Sequence, residues 1–172
     1  MTSAKQDQGI IIHLTESFKD VRVPLPTLRK LTQIVCDGFG EKKTTEIHYE
    51  LSIAVVDDTR IKELNGQFLN HKRTTDCLSF DLSEGNPSAP RMFELIVNGE
   101  MAARQADLRG HSSEAELALY ITHGLLHNFG FDDATPGQAR KMHEVEDKIL
   151  QQLGYGSVYN REIRRQEQSE DK

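Results

Sequence analysis

His123-Gly-Leu-Leu-His127-Asn-Phe-Gly130-Phe-Asp132-Asp133 is the stretch from which the rest of the chain is read. Two histidines four apart on a helix project from one face, because a turn takes about 3.6 residues. Their imidazoles therefore reach a single metal ion. Gly130 stands just past the second histidine, where a left-handed residue ends a helix. The chain then turns, and one of the carboxylates of Asp132 and Asp133 swings back as a third ligand. Three protein ligands with an open position make a catalytic zinc site, whereas structural zinc is closed by four. The plainer reading is a helix cap followed by an Asx-type turn, with both histidines in local hydrogen bonds. A metallopeptidase helix reads H-E-x-x-H, with Glu as general base. Gly124 follows His123 here, so that base is missing and peptidase chemistry loses ground.

The 172 residues suffice for one domain with a sizeable core. We assign residues 1–159 to it and expect the polar stretch 160–172 to be a disordered tail. No apolar run approaches the ~18 residues of a membrane helix, so no membrane partner is expected. Residues 1–9 are polar and lack the apolar centre of a signal peptide, which points to the cytoplasm. Cys36 and Cys77 sit far apart in apolar surroundings and read as buried free thiols. A net charge of −6 argues against coating nucleic acid by bulk electrostatics. It leaves room for a local basic groove, for which Arg60, Lys62, His71, Lys72 and Arg73 are the candidates. A solvated helix end and loop is the alternative for that cluster.

Periodicity orders the elements as β-α-β-α-β-β-α-α-α, an α+β fold with a sheet of about four strands and about five helices. Ile10 to Leu14 is a short β-branched strand, and residues 15–23 a polar connection. Pro24 and Pro26 open a helix whose apolar face is Leu28, Leu31, Ile34 or Val35, and Phe39. Residues 41–45 form a charged turn. Ile47 to Val56 alternates as the central strand. Asp57 or Asp58 caps the next helix, with Ile61, Leu64 and Phe68 facing inward. Asn70 to Thr75 is a loop, with Thr75 and Asp76 forming or bracing the site, and Cys77 to Leu82 is the third strand. Residues 83–91 are a Pro- and Gly-bearing loop. Phe93 to Val97 is a fourth strand, antiparallel to the third, which leaves an edge for substrate. Gly99 to Leu108 is a helix whose Arg104 is solvated or reaches a phosphate. Ser113 with Glu116 reads as a capping box for the metal-bearing helix. Its buried stripe is Leu117, Tyr120, Ile121, Gly124 and Leu125. Thr135-Pro136 starts a last helix with Ala139, Met142, Val145, Ile149 and Leu153 inward. His143 lies off that stripe and is read as exposed, with a partner supporting the metal ligands as the alternative.

The central stretch resembles the signature of the YbeY family, bacterial rRNA maturation factors regarded as metal-dependent endoribonucleases. That signature runs H-G-x-L-H-x-x-G-[FY]-D-H, and His123, Gly124, Leu126, His127, Gly130, Phe131 and Asp132 match it in register. Two further blocks are similar to the family's L-N-x-x-[YF]-R and T-[DN]-x-L-S-F. They are Leu64-Asn65-Gly-Gln-Phe68-Leu69 and Thr75-Asp76-Cys77-Leu78-Ser79-Phe80. A fourth block, G-E-I-x-[IV], is met only partly by Glu94-Leu95-Ile96-Val97, with Phe93 in the glycine's place. The blocks together span roughly residues 46 to 159.

The resemblance implies a mixed sheet, with the metal site on an interior helix. It implies a single-strand endoribonuclease acting in rRNA maturation and small-subunit ribosome biogenesis. It also implies one zinc ion (Zn2+) held by His123, His127 and Asp133, with His123 and His127 as catalytic residues. RNA is the implied partner, namely rRNA of the small ribosomal subunit, together with an assembly GTPase or a small-subunit ribosomal protein. Two departures matter. Asp133 stands where the family has its last histidine, a harder ligand that admits other divalent metals. Leu69 stands where the family has an arginine for the phosphodiester, and Arg73, Lys72 or His71 is left to supply that charge. The rival reading is a ribosome-assembly binding factor with a structural metal and little nuclease activity. A metallopeptidase is the more distant rival.

Overall fold

The computed structural model describes residues 9–41, 47–86 and 88–158. The expected charged turn at 41–45 lies, apart from Glu41, outside the described residues, as does the expected tail at 160–172. The elements run β1 (Ile10–Glu16), α1 (Leu25–Phe39), β2 (Tyr49–Val56), α2 (Asp58–Leu69), β3 (Cys77–Asp81), β4 (Arg91–Asn98), α3 (Gly99–Arg109), α4 (Ser113–Asn128) and α5 (Pro136–Gln152). The sheet order is β1-β2-β4-β3. β1 and β4 flank β2 in parallel, and β3 runs antiparallel to β4 as an edge strand. Among the described residues this is the α+β arrangement of four strands and five helices that the residue pattern predicts, with the mixed sheet that the family resemblance implies.

Alternation along the central strands sorts the core onto two faces. Leu51 pairs with Phe93 and Ile53 with Leu95. With Tyr49, Val55 and Val97 they face a large core that takes in α1, α4 and α5 through Leu31, Leu125 and Met142. Val56, Ile96 and Leu78 point the other way and are covered by Ile61 and Leu64 of α2. Burial extends around α4, where 115–122 and 124–126 are buried. Such a helix belongs inside a protein. Leu117, Ile121 and Leu125, fully buried, each contribute roughly 1.5–3 kcal/mol.

Several expectations are corrected. β1 continues through Thr15 and Glu16, paired to Ala54 and Val55, and the connection after it buries Val21 and Val23. Phe68 does not face inward: it is 60% exposed and meets Phe80 of β3 edge-on at 5.5 Å. Asn65 takes the buried position instead. Phe39 is also exposed, at the end of α1. The cap of α4 is Ser112, which accepts from the Ala115 amide at 3.1 Å, so Ser113 and Glu116 form no capping box. Glu116 is buried, in contact with Arg109 and His111. Arg104 stays solvated, its side chain 49% exposed, and is engaged by Asp58 through two contacts of 2.7 and 3.2 Å. Along α5 the fully buried positions are Met142, Glu146, Asp147, Ile149 and Leu150, while Ala139, Val145 and Leu153 are only half-buried.

No side chain larger than glycine fits between α4 and the sheet at position 124. A Cβ there would lie 2.5 Å from Cys77 Sγ and 3.1 Å from Leu95 Cδ2. Gly124→Ala should therefore cost about 1–3 kcal/mol, the usual penalty for overpacking. A urea melt should read it as a lower midpoint, and adding Cys77→Ala should recover part of the loss. A Gly124→Ala chain as stable as its parent would contradict this packing.

Candidate metal centre

His123 and His127 lie on the last turns of α4, with their Nε2 atoms 3.0 Å apart. After α4, Gly130 adopts φ +90° and turns the chain back. Asp132 Oδ1 accepts from the amides of Asp133 at 2.8 Å and Ala134 at 3.3 Å, an Asx-type turn. Asp132 thus braces the loop, and Asp133 is the carboxylate that returns. Its oxygens lie 3.4 Å from His123 Nε2 and 3.8 Å from His127 Nε2. One ligand atom from each of the three residues falls within a span of 4.8 Å, a cluster able to hold a metal ion.

Hydrogen bonds behind the rings fix which nitrogens face the cluster. His127 Nδ1 lies 3.0 Å from the Phe131 carbonyl oxygen, which can only accept. His127 therefore carries its proton on Nδ1, and neutral His127 turns a bare Nε2 toward His123. His123 Nδ1 lies 2.6 Å from Glu146 Oε1, a carboxylate that fixes the same tautomer. When both rings are neutral their lone pairs meet 3.0 Å apart beside a carboxylate, a repulsion that either a proton on His123 Nε2 or a cation between them relieves. This backing by a carboxylate and a carbonyl is how metal-ligating histidines are commonly oriented.

Sequence pattern does not single out Glu146, and of the two readings of His143 the structure favours the supporting partner over the exposed residue. Glu146 is 1% exposed, and its other oxygen lies 3.0 Å from His143 Nδ1, so His143 is half-buried in a His143–Glu146–His123 chain. The signal was a charged residue inside the apolar stripe of α5, one turn after a histidine. Burial opposes a charge on His123. The hydrogen bond to Glu146 and the negative charges of Glu146, Asp76 and Asp133 outweigh it and raise the His123 pKa above 6.5.

The remaining candidates divide. Asp76 Oδ1 accepts from the Cys77 amide at 2.8 Å and from Thr75 Oγ1 at 3.2 Å, so this pair braces the loop while lending its charge to the site. Ser79 Oγ lies 2.8 Å from both the Gly124 carbonyl and Asn128 Oδ1, tying edge strand β3 to α4. Arg73 is exposed, and its backbone carbonyl takes the Asn65 side-chain amide at 2.9 Å. Among the described residues no contact joins the Arg73 guanidinium to the cluster. Arg60 lies 3.3 Å from Glu63, while Lys62, His71 and Lys72 are exposed. Leu69 is 48% exposed at the end of α2. Both cysteines are free; burial pushes the Cys36 thiol up to about 12 and the Cys77 thiol well above its usual value, so neither is a ready thiolate.

A metal must displace the proton from His123 Nε2. Because Glu146 raises that pKa, apparent metal affinity should start to fall at a higher pH than it would for a free imidazole, and raising the pH should restore it. Glu146→Gln should weaken metal binding at about pH 8 by about 10–100-fold. Competition against a chromogenic chelator reads both effects. Unchanged affinity in the variant would show that Glu146 does not serve the site.

A family model described as Endoribonuclease YbeY matches residues 13–154. A relative of that name from Anaeromyxobacter dehalogenans is 37% identical over 157 residues, covering 91% of this chain and 79% of the relative. Another from Heliobacterium modesticaldum is 34% identical over 145 residues, covering 75% and 87%. A third, from Myxococcus xanthus, is 37% identical over 108 residues, which are 61% of this chain and only 37% of that relative. The solution structure of TM1509 from Thermotoga maritima shares the fold, with a TM-score of 0.53, 24% identity, and coverage of 83% and 89%. Spanned by that family model, and matched over most of its length by such relatives, the chain belongs to the YbeY family.

Proposed function

We propose that the chain is a metal-dependent endoribonuclease that cuts single-stranded RNA in rRNA maturation, with its metal held by His123, His127 and Asp133. The observation that carries this reading is the pair of Nε2 atoms 3.0 Å apart beside a carboxylate. Two imidazole nitrogens and one carboxylate oxygen fit zinc, and the carboxylate leaves other divalent metals open. When bound, the metal supplies Lewis acidity, lowering the pKa of water and offsetting charge on the phosphate.

The chain's own residues do the positioning. Glu146 and the Phe131 carbonyl hold both imidazoles in the ligating tautomer. Burial of α4 keeps the two rings still, as a metal site requires. Asp133, with a side chain 41% exposed, lies on the solvent side, where substrate enters. β3 offers its free edge next to α4. Arg73, with Lys72 and His71, is the cation source for the phosphodiester in place of the arginine missing at Leu69. Among the described residues no helix is long and apolar enough to cross a membrane. The small ribosomal subunit as target, an assembly GTPase or small-subunit protein as partner, and the cytoplasm as place of action rest on the family alone. The catalytic unit is residues 1–159.

One observation favours a second reading. Leu69 is exposed at the position of the family's arginine, and leucine neutralises no phosphate. A protein that binds ribosomal particles and cuts little RNA fits that feature. His127→Ala decides between them. Cleavage of single-stranded RNA should fall by about 100-fold or more, the scale of losing a transition-state charge stabiliser, with the circular dichroism spectrum unchanged. Undiminished cleavage by the variant, or no cleavage by the parent in any divalent metal, would favour the binding factor.

A further inference from the structure

Beside the triad the surface opens into a recess of about 280 Å³ lined by Phe129, Gly130, Phe131, Asp132, Gln138 and Lys141. It shares its wall with the ligand loop: the Phe131 carbonyl holds His127, and Asp132 precedes Asp133. We propose that this recess is a nucleobase subsite, which takes the base of a nucleotide neighbouring the scissile phosphate. The proposal rests on the endoribonuclease reading, since it names how that site holds its substrate.

Size, stacking surface and polar edge each point to a base. Pockets for drug-sized ligands begin near roughly 300 Å³, so this recess suits a single ring system. Phe131 is half-buried, propped by Phe39, whose ring meets it edge to face at 4.9 Å. Aromatic rings of this kind are the stacking platforms by which proteins hold unpaired bases. The polar groups are already fixed. Gln138 spends its Oε1 on the Thr135 cap, at 3.1 Å from both the amide and the hydroxyl. Its Nε2 donor lies outside that cap. Asp132 spends Oδ1 on two amides, and its other oxygen remains an acceptor. A donor and an acceptor held by turns suit the edge of a base.

Charge decides which part of a nucleotide enters. Asp132 and Asp133 repel a phosphate but accept from the amino and imino groups of a base. Lys141 sits one turn after Gln138 on α5, exposed, and no carboxylate lies within ion-pair distance of it among the described residues. Its ammonium is placed for the phosphate of the same nucleotide at the rim. The substrate is therefore single-stranded here, because a paired base presents neither its face nor its edge.

The chain has no tryptophan, so Phe131→Trp installs a single fluorescent reporter in the recess. The zinc-loaded variant is titrated with a 2′-O-methyl RNA pentamer, and in parallel with an abasic pentamer of the same charge. Saturable quenching by the first, with binding of the second weaker by about fivefold or more, is expected from lost base stacking. In the otherwise unaltered chain, Lys141→Ala should raise KM for single-stranded RNA by about fivefold with kcat nearly unchanged, as for a group that binds ground and transition states alike. Equal binding of the abasic pentamer would overturn the subsite. If the parent cuts RNA while the abasic pentamer binds as well as the other, the subsite falls and the nuclease reading stands. If no RNA is cut but quenching still depends on the base, the nuclease reading falls and the subsite stands. Should Phe131→Trp fail to fold, affinities of the unaltered chain for the two pentamers decide the matter.

Discussion

A carboxylate with 1% of its surface exposed lies between two imidazoles, and the geometry of the centre follows from it. An isolated charge at Glu146 would be costly to bury. Its contacts to His123 at 2.6 Å and His143 at 3.0 Å offset that cost. The same contacts fix the His123 ring and turn its outer nitrogen toward the cluster. Glu146 also joins α5 to α4, so the last helix both closes the core and orients a ligand. Stability and site geometry here depend on one side chain.

The second support is the burial of α4. A helix enclosed almost all round cannot slide or rotate without opening the core. Gly124 brings it against Cys77 and Leu95, and Ser79 ties it to the edge strand. A second buried acid, Glu116, is matched by Arg109 and His111 near the opposite end of the helix. The helix is thus pinned at both ends by paired carboxylates, with apolar packing between them. Its ligand-bearing end is partly open to solvent, with the His127 side chain 31% exposed beside Asp133.

Much of this was legible in the residues. The β-branched alternation of β2 and the helical stripe of α1 placed the sheet and its first cover. The four-residue spacing of His123 and His127, with Gly130 after them, located the site. What stayed hidden depends on tertiary partners. Asp132 and Asp133 are chemically alike, and a side-chain turn separated their roles. Glu146 reaches a histidine on another helix, which no local pattern records. Phe68 fits the helical stripe of α2, yet it lies over Phe80 of the edge strand and stays exposed. Arg104 has the chemistry of a phosphate ligand, but Asp58, in another element, already holds it. Glu116 matches a capping spacing, and burial gave it another task. Local periodicity therefore reports elements and faces, while buried polar pairs are read only once the elements meet.

The central claim is that the site is a metal centre of two histidines and one aspartate. Its most direct test is the metal-to-protein ratio of the purified chain, measured by elemental analysis beside Asp133→Ala. The account predicts about one divalent metal per chain, as three-ligand catalytic sites hold, and its loss in the variant. No bound metal after dialysis against zinc, or full occupancy retained without Asp133, would contradict it.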